Sequence, residues 1–118
     1  MTRVMVVEDE ADSLELLESW LEDRGYEVLA VRSGAAALEQ AEHFAPELLL
    51  TDYFLPGGVN GIEVVRRLLG WFPELRAILM TGMLQGAFTR DLTDREHIPV
   101  MLKPFNFRTL AATLDALP

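Results

Sequence analysis

Cysteine is absent from all 118 residues, which removes disulfides and thiolate chemistry and fits a reducing compartment. No apolar stretch approaches the roughly 20 residues a membrane-spanning helix needs, so no membrane partner is expected. Residues 1–3 lead directly into a short β-branched run with no small-residue cleavage site, so no signal peptide is read and a cytoplasmic location is expected. Basic residues are scarce: 10 Lys and Arg face 19 Asp and Glu, for a formal net charge of −9. Proteins that bind the phosphate backbone carry basic stripes, so a nucleic-acid partner is not expected. There is no low-complexity tract, linker or sequence repeat. What remains is a chain that is 50% hydrophobic and 25% charged, the mix of a globular protein, with enough length for one cored domain over 1–118.

Short apolar runs alternate with helical patterns, which is the arrangement of βαβ units and a parallel sheet. Strands are expected at 3–7, 27–31, 47–51, 77–80 and 99–102. A first helix over 11–24 places Leu14, Leu17 and Leu21 on one face and stops at Gly25. Ser33 caps a second helix running to about His43, before Pro46. Asn60 and Glu63 have capping-box spacing and open a third, ended by Gly70 and Pro73. A last helix over 107–117 carries Phe107, Leu110, Leu114 and Leu117 on one face. Between them, residues 82–98 read as a short fourth helix, weakened by Gly82 and Gly86 at about 1 kcal/mol each relative to alanine. Five strands and five helices make a three-layer α/β sandwich.

The chemistry gathers where the apolar runs end. Glu8 and Asp9 follow Val4-Met5-Val6-Val7, Asp52 follows Leu48-Leu49-Leu50-Thr51, Thr81 closes Ala77-Ile78-Leu79-Met80, and Lys103 follows Val100-Met101-Leu102. Taken singly, each has an ordinary reading: an acidic helix start, a turn residue, a cap, a solvated cation. Taken together, on parallel strands, all five groups lie at the carboxyl edge of one sheet, where open α/β sheets place their ligands. Acids, a cation and a hydroxyl at one edge suit a divalent metal and a phosphoryl group.

These residues resemble the response regulator receiver domain of two-component signalling, in the CheY-like superfamily, over essentially the full chain. The matching pieces are Val4-Met5-Val6-Val7-Glu8-Asp9-Glu10, Leu50-Thr51-Asp52-Tyr53-Phe54-Leu55-Pro56, Ile78-Leu79-Met80-Thr81-Gly82 and Lys103-Pro104-Phe105. The resemblance implies a flavodoxin-like, doubly wound sheet of order 2-1-3-4-5. It implies that Asp52 is the phosphoacceptor and that Glu8, Asp9, Asp52 and the backbone carbonyl of Phe54 hold Mg²⁺. Thr81, Gly82 and Lys103 would serve phosphoryl binding and switching, and a cis bond is expected at Lys103–Pro104. A sensor histidine kinase or histidine phosphotransfer protein would supply the phosphoryl group. The face of the fourth helix, fifth strand and fifth helix would change its population and select an output, either a homodimer or an attached or downstream protein. The chain is not expected to be an enzyme beyond its own phosphoryl uptake and loss.

Three features depart from the family pattern. Gly61 stands nine positions after Asp52, where the family has its glycine at eight, and the Leu-Pro-Gly-Gly loop is similar to receivers attached to hybrid kinases. Val100 occupies the place of the family's switching aromatic, so either the 82–98 segment is the moving part or it is merely a poorly packed helix. Phe54 stands where many members have a polar group; its ring either shields an acyl phosphate from water or folds on the Pro56 loop. Trp20 reads as a partner contact or as a scattered exposed aromatic. Competing functions fit less well. A haloacid-dehalogenase-type phosphatase needs a second acid at Phe54, and a flavodoxin needs a hydroxyl-rich phosphate loop where Glu8-Asp9-Glu10 stands. A pseudo-receiver, binding partners without phosphorylation, would not need the intact acids, acceptor, hydroxyl and lysine. A single-domain regulator and a receiver from a longer protein are equally compatible with the sequence.

Overall fold

In the computed structural model, residues 1–82 and 98–118 are described. Their elements are β1 (Arg3–Val7), α1 (Ala11–Asp23), β2 (Glu27–Val31), α2 (Gly34–Phe44), β3 (Leu48–Asp52), α3 (Gly61–Trp71), β4 (Arg76–Thr81), β5 (Val100–Leu102) and α4 (Phe107–Asp115). The strands form one sheet in the order β2-β1-β3-β4-β5, every neighbouring pair parallel. Strand order and fold class therefore agree with the expectation. The further helix expected in 82–98 lies outside the described residues.

The two faces of the sheet are divided by the period-2 alternation of its strands. Val4, Val6, Leu48, Leu50, Ile78 and Met80 point to one side, where Leu14, Leu17 and Leu21 of α1 and Leu110 and Leu114 of α4 cover them. Met5, Val7, Leu49 and Ala77 point to the other, under Ala37 and Ala41 of α2 and Val64, Val65 and Leu68 of α3. The strands are continuously apolar because both faces are buried, as parallel sheets require.

Helix ends follow local chemistry. Ser33 Oγ accepts from Ala36 N at 3.1 Å, Asn60 Oδ1 from Glu63 N at 2.9 Å, and Asn106 Oδ1 from Thr109 N at 2.8 Å. After α1 the chain reverses at Gly25, φ 92°, with Gly25 N donating to Glu22 O at 3.0 Å and Tyr26 N to Leu21 O at 3.2 Å. This paired closure needs a left-handed residue, and glycine takes that conformation at least cost. At the end of α2 the left-handed residue is instead Ala45, φ 51°, a position with no glycine signal. Arg3 Nε donates to its carbonyl at 2.8 Å and ties this turn to the start of β1.

Trp20 is not a free docking aromatic. Its ring stacks on Phe107 at 5.0 Å and 12°, and the Arg24 guanidinium lies 4.9 Å over its face. It fastens α1 to α4, so Trp20 is more than a scattered exposed aromatic. Leu16 is the α1 residue that remains apolar and exposed.

Leu21 is fully buried beneath α1, so Leu21→Ala is expected to cost about 2–5 kcal/mol in urea unfolding. Leu16→Ala, on the exposed face of the same helix, is expected to change stability by no more than about 0.5 kcal/mol.

Candidate functional site

Parallel register brings the candidate residues together. Val7 lies beside Thr51, Thr51 beside Leu79, and Leu79 beside Val100, so the residues that follow emerge at one edge. The ladder continues past the strands: Glu8 N donates to Val31 O at 3.1 Å, Tyr53 N to Met80 O at 2.8 Å, and Lys103 N to Thr81 O at 2.7 Å. Asp52 is itself the last residue of β3, paired with Met80, rather than the first residue of a loop. Thr81 likewise ends β4. Both strands extend one residue beyond the apolar run because polar side chains at the edge cost the backbone pairing nothing. β5 is shorter than expected, beginning at Val100, since Pro99 has no N–H to donate; its carbonyl still accepts from Leu79 N at 2.9 Å.

Lys103 stands between two carboxylates. Its Nζ lies 2.9 Å from Glu8 Oε2 and 2.6 Å from Asp52 Oδ1. Glu8 and Asp52 are buried at 1% and 5% exposure, whereas Asp9 is exposed. Carboxylate oxygens of Glu8, Asp9 and Asp52 all lie within 4.8 Å of one another. Three carboxylates against one ammonium leave a formal charge of −2. Unit charges at that spacing repel by about 3 kcal/mol per pair at an effective dielectric near 20, a repulsion that a bound cation would relieve. Asp52 Oδ1 is buried and, apart from the Lys103 ion pair, accepts no directed hydrogen bond among the described residues. A set of hard oxygen donors with excess negative charge and an under-coordinated buried oxygen fits Mg²⁺.

The other predicted positions take their places around this centre. Thr81 is buried at the edge beside Lys103, and Gly82 follows it, exposed. The Lys103–Pro104 bond is cis. Phe54 is 58% exposed, its ring standing edge-on to Tyr53 at 4.8 Å and 75°. Val100 is half-buried against Tyr53, Ile62 and Leu79.

The displaced glycine has a steric reason. Gly61 opens α3 where its N donates to Tyr53 O at 2.8 Å, and a Cβ there would collide with the Asp52 carbonyl oxygen and crowd Tyr53 Cα. The extra residue before it is absorbed by Gly57 and Gly58, both at φ 85°, and Val59 then closes against Gly34. One contributor escaped the sequence reading: Arg32, whose Nε and Nη2 donate to the Asp9 carbonyl oxygen at 3.2 and 2.8 Å. Its signal was positional, since the residue after β2 must share the edge with Glu8 and Asp9.

Comparison with known proteins agrees with this geometry. The family model for the response regulator receiver domain matches residues 4–115. The response regulator receiver protein CpdR of Brucella abortus is 32% identical over 99% of this chain and 97% of its own length. The transcriptional regulatory protein PhoP of Bacillus subtilis is 39% identical over 98% of this chain, which spans 48% of that relative. Among solved structures, the response regulator protein TrrA of Thermotoga maritima, in complex with Mg²⁺-BeF, superposes with a TM-score of 0.83 at 29% identity, covering 98% of this chain and 97% of that one.

Lys103→Met removes the counter-ion from two buried carboxylates, and is expected to cost about 1–2 kcal/mol in metal-free urea unfolding, less than a fully buried pair because Lys103 is partly solvated. Saturating Mg²⁺ is expected to narrow the gap between variant and parent, since added positive charge relieves the same repulsion.

Proposed function

The chain belongs to the response regulator receiver domain family, and on that premise we propose that Asp52 accepts a phosphoryl group from a phosphohistidine in a Mg²⁺-dependent reaction. The observation that carries this reading is the pairing of Asp52 Oδ1 with Lys103 Nζ at 2.6 Å, inside a cluster of acids. An Asp52 carboxylate oxygen attacks phosphorus, the P–N bond to the donor imidazole breaks, and the bonding pair leaves with the ring nitrogen. The product is an acyl phosphate on Asp52. Glu8, Asp9, Asp52 and the Phe54 carbonyl are the residues that would hold Mg²⁺. Bound there, the ion would supply positive charge that offsets both the carboxylates and the anionic donor.

Lys103 is placed to follow the charge. As Asp52 becomes phosphorylated, the Lys103 ammonium would exchange a carboxylate partner for a phosphoryl oxygen while keeping Glu8. Thr81, held to Lys103 through the backbone, offers the hydroxyl for another phosphoryl oxygen. The added charge of about −1.5 to −2 would then bias the face around β5 toward partner-binding conformations.

The donor would be a sensor histidine kinase or a phosphotransfer protein. Sensor kinases occur among the relatives, including CckA of Brucella abortus, 32% identical over 82% of this chain. A groove of about 430 Å³ beside the site, with Leu16, Pro104 and Phe105 on its walls and Glu10 and Lys103 at the rim, would receive the helix bearing the phosphohistidine. Leu16, 61% exposed, supplies the apolar contact there. The protein would work as a cytoplasmic phosphoacceptor without turnover of other substrates; among the described residues no helix is long and apolar enough to cross a membrane.

Beryllofluoride, which mimics an acyl phosphate, is expected to bind the parent only with Mg²⁺ present. Asp52→Asn is expected to abolish both that binding and labelling by acetyl phosphate; an Asp52→Asn protein that labels as readily as the parent would end this reading. The Phe54 ring, exposed beside the acceptor, is proposed to slow attack by water on the acyl phosphate. Phe54→Asn is then expected to shorten the phosphoryl lifetime several-fold in a dephosphorylation time course, and an unchanged rate would discard the shielding role.

A further inference from the structure

We propose that Arg32 is a positioning residue for the acid pair: its guanidinium grips the Asp9 backbone carbonyl and fixes the loop that presents Glu8 and Asp9 to a divalent cation. This rests on the metal-binding reading of the acid cluster above. The grip is made by two nitrogens on one oxygen, Nε at 3.2 Å and Nη2 at 2.8 Å. It adds to a bond one residue earlier, where Glu8 N donates to Val31 O at 3.1 Å. Consecutive residues of the turn after β1 are thus tied to consecutive residues at the end of β2. On the other side, Leu14 N donates to Glu10 O at 3.0 Å and starts α1. The Asp9 peptide is held between a strand edge and a helix start.

The anchor for this grip is itself rigid. Val31 is the last residue of β2 and is buried. Ser33, next to Arg32, caps α2 through Ala36 N at 3.1 Å. Gly34 packs so closely on the acceptor loop that a Cβ there would lie 2.7 Å from Val59 Cγ1. The turn carrying Arg32 therefore touches both loops that hold the expected metal donors: the acid pair directly, and the loop after Asp52 through Val59. Substituting groups that orient metal ligands from behind typically costs about 10–100-fold in metal affinity.

Arg32 also carries a positive charge close to the proposed cation, and this makes the inference testable by sign. If the side chain acted only through charge, Arg32→Ala would remove repulsion and tighten Mg²⁺ binding, and Arg32→Lys would leave it unchanged. If it acts by gripping the Asp9 carbonyl, both substitutions weaken binding, because a lysine ammonium cannot reproduce the planar two-nitrogen fork. The lysine variant loses the grip and keeps the repulsion, so it is expected to bind no better than the alanine variant.

The test is a Mg²⁺ titration of the full chain, followed by backbone amide shifts in NMR, for the parent, Arg32→Ala, Arg32→Lys and Asp52→Asn. Both Arg32 variants are expected to raise the Mg²⁺ dissociation constant about tenfold. Metal-free shifts are expected to change only near residues 8–10 and 31–34. Parental or tighter Mg²⁺ binding by Arg32→Ala, or parental binding by Arg32→Lys, would overturn the positioning role while the parent's own binding keeps the metal reading. Shift changes spread over the whole chain would assign Arg32 to fold stability and overturn it as well. A parent that binds no Mg²⁺, or binds it as Asp52→Asn does, would sink the metal reading and this inference with it.

Discussion

One ammonium shared by two buried carboxylates is the interaction around which this protein is organised. Lys103 reaches Glu8 and Asp52 from β5, three strand positions away from β1 in the sheet, and only a parallel arrangement presents all three at the same edge. An antiparallel strand at any of these places would send its terminal residue to the opposite end. The doubly wound topology is thus a condition of the chemistry: crossover helices on both faces keep the strands parallel, and the helices in turn demand strands that are apolar throughout. The polar residues are displaced to the one place where they cost no core packing.

The same constraint explains why the site remains electrostatically unfinished. A fully compensated cluster would hold its lysine in a stable structural ion pair and would have little use for a cation or an anionic ligand. Here Asp52 Oδ1 is buried with the Lys103 ammonium as its ion-pair partner, and Asp9 adds a further charge at the solvent side. That residual charge suits a divalent cation, which would offset it. Like charges are gathered at the edge at a cost in stability, as is common at functional sites.

Much of this was legible in the chain because two periodicities were clean. Apolar runs of four or five residues marked the strands, and leucines at helical spacing marked α1, α3 and α4. Strand ends were less visible: Asp52 and Thr81 belong to their strands through backbone pairing, which polar side chains do not advertise. Ala45 in a left-handed conformation carries no glycine signal, and the Arg3 contact that accompanies it comes from another element. Gly61 could be noticed as displaced, but its reason, the Asp52 carbonyl against its Cα, is a tertiary fact. Trp20 is the same kind of case: a helical wheel shows that it leaves the Leu14–Leu17–Leu21 stripe, and cannot show that it packs on Phe107 and under Arg24.

Val100 constrains how a change at Asp52 could travel. A large aromatic at this place can exchange a buried for an exposed rotamer; a β-branched valine has one stiff torsion and little volume to move. It is also wedged against Tyr53, Ile62 and Leu79, so rotation would open a void rather than a path. Among the described residues, covalent neighbours and backbone bonds connect the acceptor to β5. Tyr53, adjoining Asp52, donates its N–H to Met80 O; Thr81, adjoining Met80, accepts from Lys103 N; and Lys103 returns to Asp52 through its side chain. This is a closed ring through β3, β4 and β5. A charge added at Asp52 would act on this ring at Lys103, which joins the strand ends carrying Thr81 and Lys103.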